Sequence, residues 1–143
     1  MTEAQKQLVH STLPSLHQHG DAIAQLFYER MFEAHPDIRE MFSGDDQQSG
    51  AQAKRLAGYI ISYAGHLDRL DLLGPAMTNV SRRHVSINVQ ADQYPVVGQY
   101  LLAAIASVLG ESATPDMLEA WAVAYDELAG AMIDHEKQMY TAA

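Results

Sequence analysis

The stretch TPDMLEAWAVAYDELAGAMIDHEKQMY, residues 114–140, decides the fold class. Thr114 followed by Pro115 is a helix start: a hydroxyl caps the first free N–H groups, and proline stands where an N–H would have no partner. From there Met117/Leu118, Trp121, Tyr125, Leu128 and Met132 recur every three to four residues, the period of one buried helix face. The same row runs on through Glu136 and Tyr140. A carboxylate in line with an apolar row has to be paired or reach water, because burying it alone is costly.

Working back from Thr114, the same period continues. Asp92 to Leu109 carries Tyr94, Val97, Leu101, Ile105 and Val108 in phase, and Gly110 ends it. Asn88 to Gln93 reads as a connection. Leu70 to His84 reads as a short helix with Leu73, Ala76, Val80 and His84 on one row. Ala51 opens another, with Gln52, Leu56, Tyr59/Ile60, Tyr63 and Leu67 at helical spacing. Ser43 to Gly50 reads as an exposed loop, and Asp37 to Phe42 as a short helical turn. His35–Pro36 ends a stronger helix, since the residue before proline is biased away from the helical region. Gly20–Asp21 is expected to open that helix, which carries Ile23, Phe27 and Met31 with Tyr28 and Phe32 on neighbouring rows. Residues 3–19 are weakly amphipathic, and Pro14 should bend or restart them. No alternating strand, repeat or linker appears, so the expectation is one all-α domain over residues 1–143, irregular rather than a uniform four-helix bundle.

Composition narrows the function classes. Hydrophobic residues make up 48% of the 143, enough for a core and too many for a mainly disordered chain. No run approaches the roughly 18 consecutive apolar residues of a membrane span, and the first residues lack the basic flank and apolar run of a signal peptide. A cytoplasmic protein without a membrane span is expected. There are no cysteines, which excludes disulfides, thiolate metal sites and a cysteine nucleophile. A net charge of −9 argues against nucleic acid. Lys54–Arg55 and Arg82–Arg83 are basic pairs suited at most to a small anionic group.

Four polar residues interrupt the apolar pattern: His84, Glu136, Tyr94 and Tyr28. His84 is either a core histidine with ordinary hydrogen bonds or a metal ligand. With no histidine three or four residues away and no cysteine, zinc is poorly served, so a ligand role needs a cofactor that asks for one protein ligand, as haem does. Glu136 either reaches water near the C-terminus or pairs with a ligating histidine, whose second N–H is usually taken by a carboxylate or carbonyl. Tyr94 and Tyr28 read as core fillers with a satisfied hydroxyl, and Gln52 as a solvated surface amide. Spacing alone supports an all-α globule with a place for one histidine-ligated cofactor.

Residues 82–102, RRHVSINVQADQYPVVGQYLL, add more. They resemble the basic-residue-plus-histidine element and the Tyr-Pro-x-Val-Gly segment of the bacterial flavohaemoglobin-type globins, especially the single-domain haemoglobins of the Vitreoscilla type. Phe27–Tyr28, Arg39–Phe42, Gln52 with Leu56, Ala120–Trp121 with Tyr125, and Glu136 with Tyr140 match in order across nearly the whole chain. The resemblance implies a globin fold with a short or disordered segment in place of the fourth helix, and haem b (iron protoporphyrin IX) as cofactor. It makes His84 the proximal iron ligand, with Tyr94 and Glu136 completing a proximal hydrogen-bonded triad. Tyr28 becomes the distal hydroxyl that donates to bound dioxygen, with Gln52 as the second distal polar group. Phe42 would pack on the haem, Leu56, Ile60 and Val97 would line the pocket, and Arg83 would contact a propionate. The Ala-Val-Ala after Trp121 and the loop Ser43–Gly50 depart from the family pattern. A globin without the flavin and nicotinamide domains of a flavohaemoglobin is the expectation.

Two functions follow from the resemblance. The first is reversible dioxygen binding for carriage, storage or delivery. The second is a nitric oxide dioxygenase that takes electrons from a separate reductase. A homodimer is a further expectation, since relatives of this type form them.

Overall fold

Every one of the five prolines stands in the first turn of a helix, where a missing N–H costs no hydrogen bond. They punctuate the fold seen in the computed structural model, which describes residues 1–42 and 51–142. The loop expected at Ser43–Gly50, and with it the segment in place of a fourth helix, lies outside the described residues.

Helix α1 spans Glu3–Ser11 and starts with a reciprocal cap: Thr2 Oγ1 accepts from Gln5 N at 3.1 Å, and Gln5 Oε1 accepts from Thr2 N at 2.9 Å. Helix α2 spans Leu13–Ala34, α3 Pro36–Arg39, α4 Ala51–Gly65, α5 Gly74–Ser86, α6 Tyr94–Leu109 and α7 Pro115–Ala142. Short 3₁₀ turns at Leu70–Leu73, Ala91–Gln93 and Gly110–Ser112 lead into α5 and α6 and out of α6. Thr114 Oγ1 accepts from Met117 N at 3.2 Å, the cap expected for α7. Gly110, at φ +56°, ends α6 in a conformation that favours glycine. No strand occurs among the described residues.

Helix α2 packs against α4 and α6, while α7 closes over α1, α5 and α6. The core gathers Leu16, Ile23, Phe27, Met31, Tyr63, Leu101, Ile105 and Trp121, all buried. The run Ala91–Ser112 is long and apolar enough to cross a membrane by length and composition. Here it is divided by its flanking 3₁₀ turns, and Tyr94, Gly98, Leu101, Ala104, Ile105 and Leu109 face the core.

Two expectations are corrected. Gly20 does not open a helix: α2 runs continuously through it, and Gly20 is buried where α2 meets α4. A Cβ there would lie 3.5 Å from Ala57 Cβ and 3.6 Å from Ile61 Cδ1, so its smallness serves helix contact rather than chain reversal. The expected inward row of α5 fails at Ala76, which is exposed; Met77 and Val80, both half-buried, pack against the core, and Ser81 beside them is buried. A serine on the buried row is what the apolar pattern concealed.

Candidate functional site

Three of the four polar residues that broke the apolar rows converge. His84 lies in the last turn of α5, Tyr94 is the first residue of α6, and Glu136 lies toward the end of α7. Tyr94 Oη donates to Glu136 Oε2 at 2.7 Å, with Oε1 at 2.9 Å. His84 Nδ1 stands 3.0 Å from Tyr94 Oη and 3.1 Å from Glu136 Oε2. Glu136 is only 3% exposed, so it does not reach water at a frayed end, and its charge is met by these donors. Burial, and then the Glu136 carboxylate beside it, push the Tyr94 phenol far above its ordinary value, so Tyr94 keeps its proton and donates it.

That commitment fixes which way the histidine bonds. Tyr94 has one hydrogen, and it points to the carboxylate. Both atoms facing His84 Nδ1 are therefore acceptors, so Nδ1 carries a hydrogen. Among the described residues Nε2 meets no hydrogen-bond partner, and the imidazole remains 29% exposed. The ring is anchored at Nδ1 and open at Nε2.

The backbone supports this arrangement. Asn88, at φ +65°, turns the chain after α5, and Val89 N donates to His84 O at 2.9 Å. Tyr140 Oη then donates to Val89 O at 2.6 Å and ties that corner to the end of α7. Tyr125 Oη donates to Tyr94 O at 2.6 Å.

A second group forms between α2 and α4. Tyr28 lies against Phe27, Phe32 and Phe42, with ring centroids 4.8, 5.4 and 6.0 Å away. Leu56 packs with it against Ala24, Ala53 and Ala57. The Gln52 side chain hydrogen-bonds Tyr28, so it turns inward to the phenol rather than standing as a surface amide. Helix α6 joins the two groups: Tyr94 begins it, and Val97 packs in the same core as Tyr28, Phe42, Leu56 and Ile60. Arg83 is exposed beside His84 and is not brought into either group.

Sequence reasoning missed Ser81, whose hydroxyl donates to Glu136 Oε2 at 3.1 Å. It also missed Tyr59. The hydroxyl of Tyr59 and the indole N–H of Trp121 are buried without a hydrogen-bond partner among the described residues. Both residues line an apolar cavity of about 30 Å³, shared with Ile60, Leu101, Ile105 and Tyr125. A space of that size has room for about one water, the kind of partner that satisfies orphaned donors. No cluster of three or more histidine and carboxylate groups that could hold a metal ion occurs among the described residues.

Residues 25–132 match the sequence profile of the Globin family. The chain is a globin. This globin is 47% identical to a flavohemoprotein of Deinococcus radiodurans over 142 residues, which cover 99% of this chain and 35% of that one. It thus spans about a third of the length of the curated relatives it matches. Two solved structures share its fold. An engineered carbene transferase from Rhodothermus marinus, provisionally described as a nitric oxide dioxygenase, superposes with a TM-score of 0.93 at 34% identity, covering 99% of this globin and 97% of that chain. A flavohemoglobin from Malassezia yamatoensis with bound FAD and heme gives 0.84 at 32% identity, covering 98% and 37%.

Burial also sets how this globin responds to alkali. It pushes Tyr28, Tyr59 and Tyr63 up to about 12 and Tyr125 higher still. Tyrosines in the unfolded chain ionise near about 10. Above that pH the unfolded state holds fewer protons than the native state, so stability falls as pH rises from about 10 toward 12. Denaturant midpoints measured between pH 8 and 11 should be level below about pH 9.5 and then decline, with tyrosinate absorbance appearing together with unfolding. A level midpoint up to pH 11 would contradict this.

Proposed function

We propose that this globin holds haem b through His84 Nε2 and binds dioxygen reversibly beneath Tyr28 and Gln52. Haem binding as such follows from membership of the globin family; the haem type, the axial ligand and the distal pair belong to this reading. The observation that carries it is the geometry at His84, whose Nδ1 lies 3.0 Å from Tyr94 Oη and 3.1 Å from Glu136 Oε2 while Nε2 meets no partner among the described residues. An apolar core with a single anchored imidazole suits a cofactor that needs one protein ligand. When bound, the haem iron supplies the seat for dioxygen. The protein excludes water with Phe42, Leu56, Ile60 and Val97, and presents donors from Tyr28 and Gln52. Tyr28 stays protonated through the physiological range because burial raises its phenol to about 12.

Titration of the purified chain with haemin tests the reading. One equivalent should give an intense visible band that shifts on reduction and again, reversibly, on exposure to oxygen. A chain that takes up no haemin would end it. Tyr28→Phe should release oxygen roughly fivefold faster, as a lost hydrogen bond worth about 1 kcal/mol predicts. An unchanged release rate in a stopped-flow measurement would remove Tyr28 from the role.

The carboxylate behind His84 favours a second reading as well. A more anionic imidazole passes electron density toward iron and promotes chemistry on oxygen. In that reading nitric oxide, dioxygen and one electron from a separate reductase give nitrate. Nitrate accumulating over many turnovers with an added flavin reductase would support this activity. One equivalent per haem would leave the globin a carrier.

A further inference from the structure

Ser81 carries a buried hydroxyl that the proposed function leaves unused. It is 1% exposed and lies one turn before His84 on the inward row of α5. A buried serine in a helix usually satisfies its hydroxyl on a carbonyl three or four residues back. Two neighbours on the same helix do so: Thr78 Oγ1 donates to Gly74 O at 3.0 Å, and Ser86 Oγ donates to Arg83 O at 2.6 Å. Ser81 instead donates across to Glu136 Oε2 at 3.1 Å, 55 residues away in the chain.

The choice of oxygen matters. Among the described residues Oε1 faces Tyr94 alone, at 2.9 Å, whereas Oε2 faces Tyr94 at 2.7 Å, His84 Nδ1 at 3.1 Å and Ser81 at 3.1 Å. A carboxylate oxygen offers about two lone-pair sites, so three donors on Oε2 compete. We infer that Ser81 is a positioning residue that weakens the pull of Glu136 on the His84 Nδ1–H and so limits the electron density His84 passes to the haem iron. The inference rests on His84 as the axial ligand. Glu136 would make the imidazole more anionic, and Ser81 holds that effect back.

Replacing Ser81 by alanine removes one of the three donors and leaves Glu136 paired with Tyr94 and His84. Alanine also suits a helix interior. The full 143-residue chain and its Ser81→Ala variant are loaded with haemin and compared by resonance Raman spectroscopy and redox titration. In Ser81→Ala the ferrous iron–histidine stretching frequency should rise and the midpoint potential should fall, because a stronger Nδ1–H bond makes a more basic ligand and favours ferric iron. Ser81→Thr restores a hydroxyl and should return both values toward those of the parent. If the threonine variant does not fold, Ser81→Ala decides alone. A role in packing alone would change melting temperature and leave both readouts where they were, and that result overturns the proposal. If both proteins take up haemin yet share one frequency and one potential, only the role of Ser81 falls. If neither takes up haemin, the haem reading falls and this inference with it.

Discussion

His84→Ala is expected to abolish stable haem retention while leaving the apoprotein folded. The two effects separate because of how the group is wired. Without the imidazole, Glu136 still accepts from Tyr94 at 2.7 Å and from Ser81 at 3.1 Å, so its buried charge is not stranded. The lost side chain was half-buried in the last turn of α5, and alanine preserves the helix there. Circular dichroism of the two apoproteins should therefore coincide, while haemin titration of the variant should show only weak, readily extracted binding. Imidazole added to His84→Gly should restore part of the parent spectrum, since a small ligand can occupy the vacated place. An unchanged haem spectrum in His84→Ala would move the axial ligand elsewhere.

Gly98→Ala should produce the largest loss of stability from a single added methyl group. A Cβ on Gly98 would sit 2.5 Å from Tyr125 Cε1 and 2.8 Å from its Cδ1, well inside van der Waals contact. The ring has little freedom to retreat, because its hydroxyl is anchored on Tyr94 O at 2.6 Å. Relief requires either parting α6 from α7 or expelling the ring, and overpacking of this kind costs roughly 1–3 kcal/mol. At about 2–4 °C per kcal/mol, a drop in Tm of several degrees follows. The matched control is Gly58→Ala on α4, where a Cβ would meet nothing within 4 Å. That change should stabilise by about 0.5–1 kcal/mol, because glycine disfavours a helix interior. Equal melting temperatures for Gly98→Ala and the parent would show that Tyr125 yields freely.

The helices were largely legible in the sequence because their boundaries are local. Pro14, Pro36 and Pro115 act within one turn of themselves, and the cap at Thr114 reaches only Met117. His84, Tyr94 and Glu136 were legible as exceptions, since each put a polar group where the period called for an apolar one. Their mutual contact was not, because the partners lie 10 to 52 residues apart and spacing carries no information across helices. Gly20 was misread for a related reason: a glycine reads as a breaker until the facing helix is known. Ser81 escaped notice because serine and alanine are equally unremarkable on a short helix, and placing Ala76 inward shifted the row by one residue. Gln52 was ambiguous until Tyr28 stood beside it.

The tie from Tyr140 to the carbonyl of Val89 has a mechanical consequence. Tyr140 lies one turn beyond Glu136, so the final helix grips α5 at two points: at the ring of His84 and at the corner just after it. A displacement of the last turn of α7 is thereby expected to reach the imidazole by two routes. The helix is placed as a lever whose short arm ends on His84. The colour of the loaded protein would then serve as a strain gauge, reporting through the imidazole how firmly its final helix is seated.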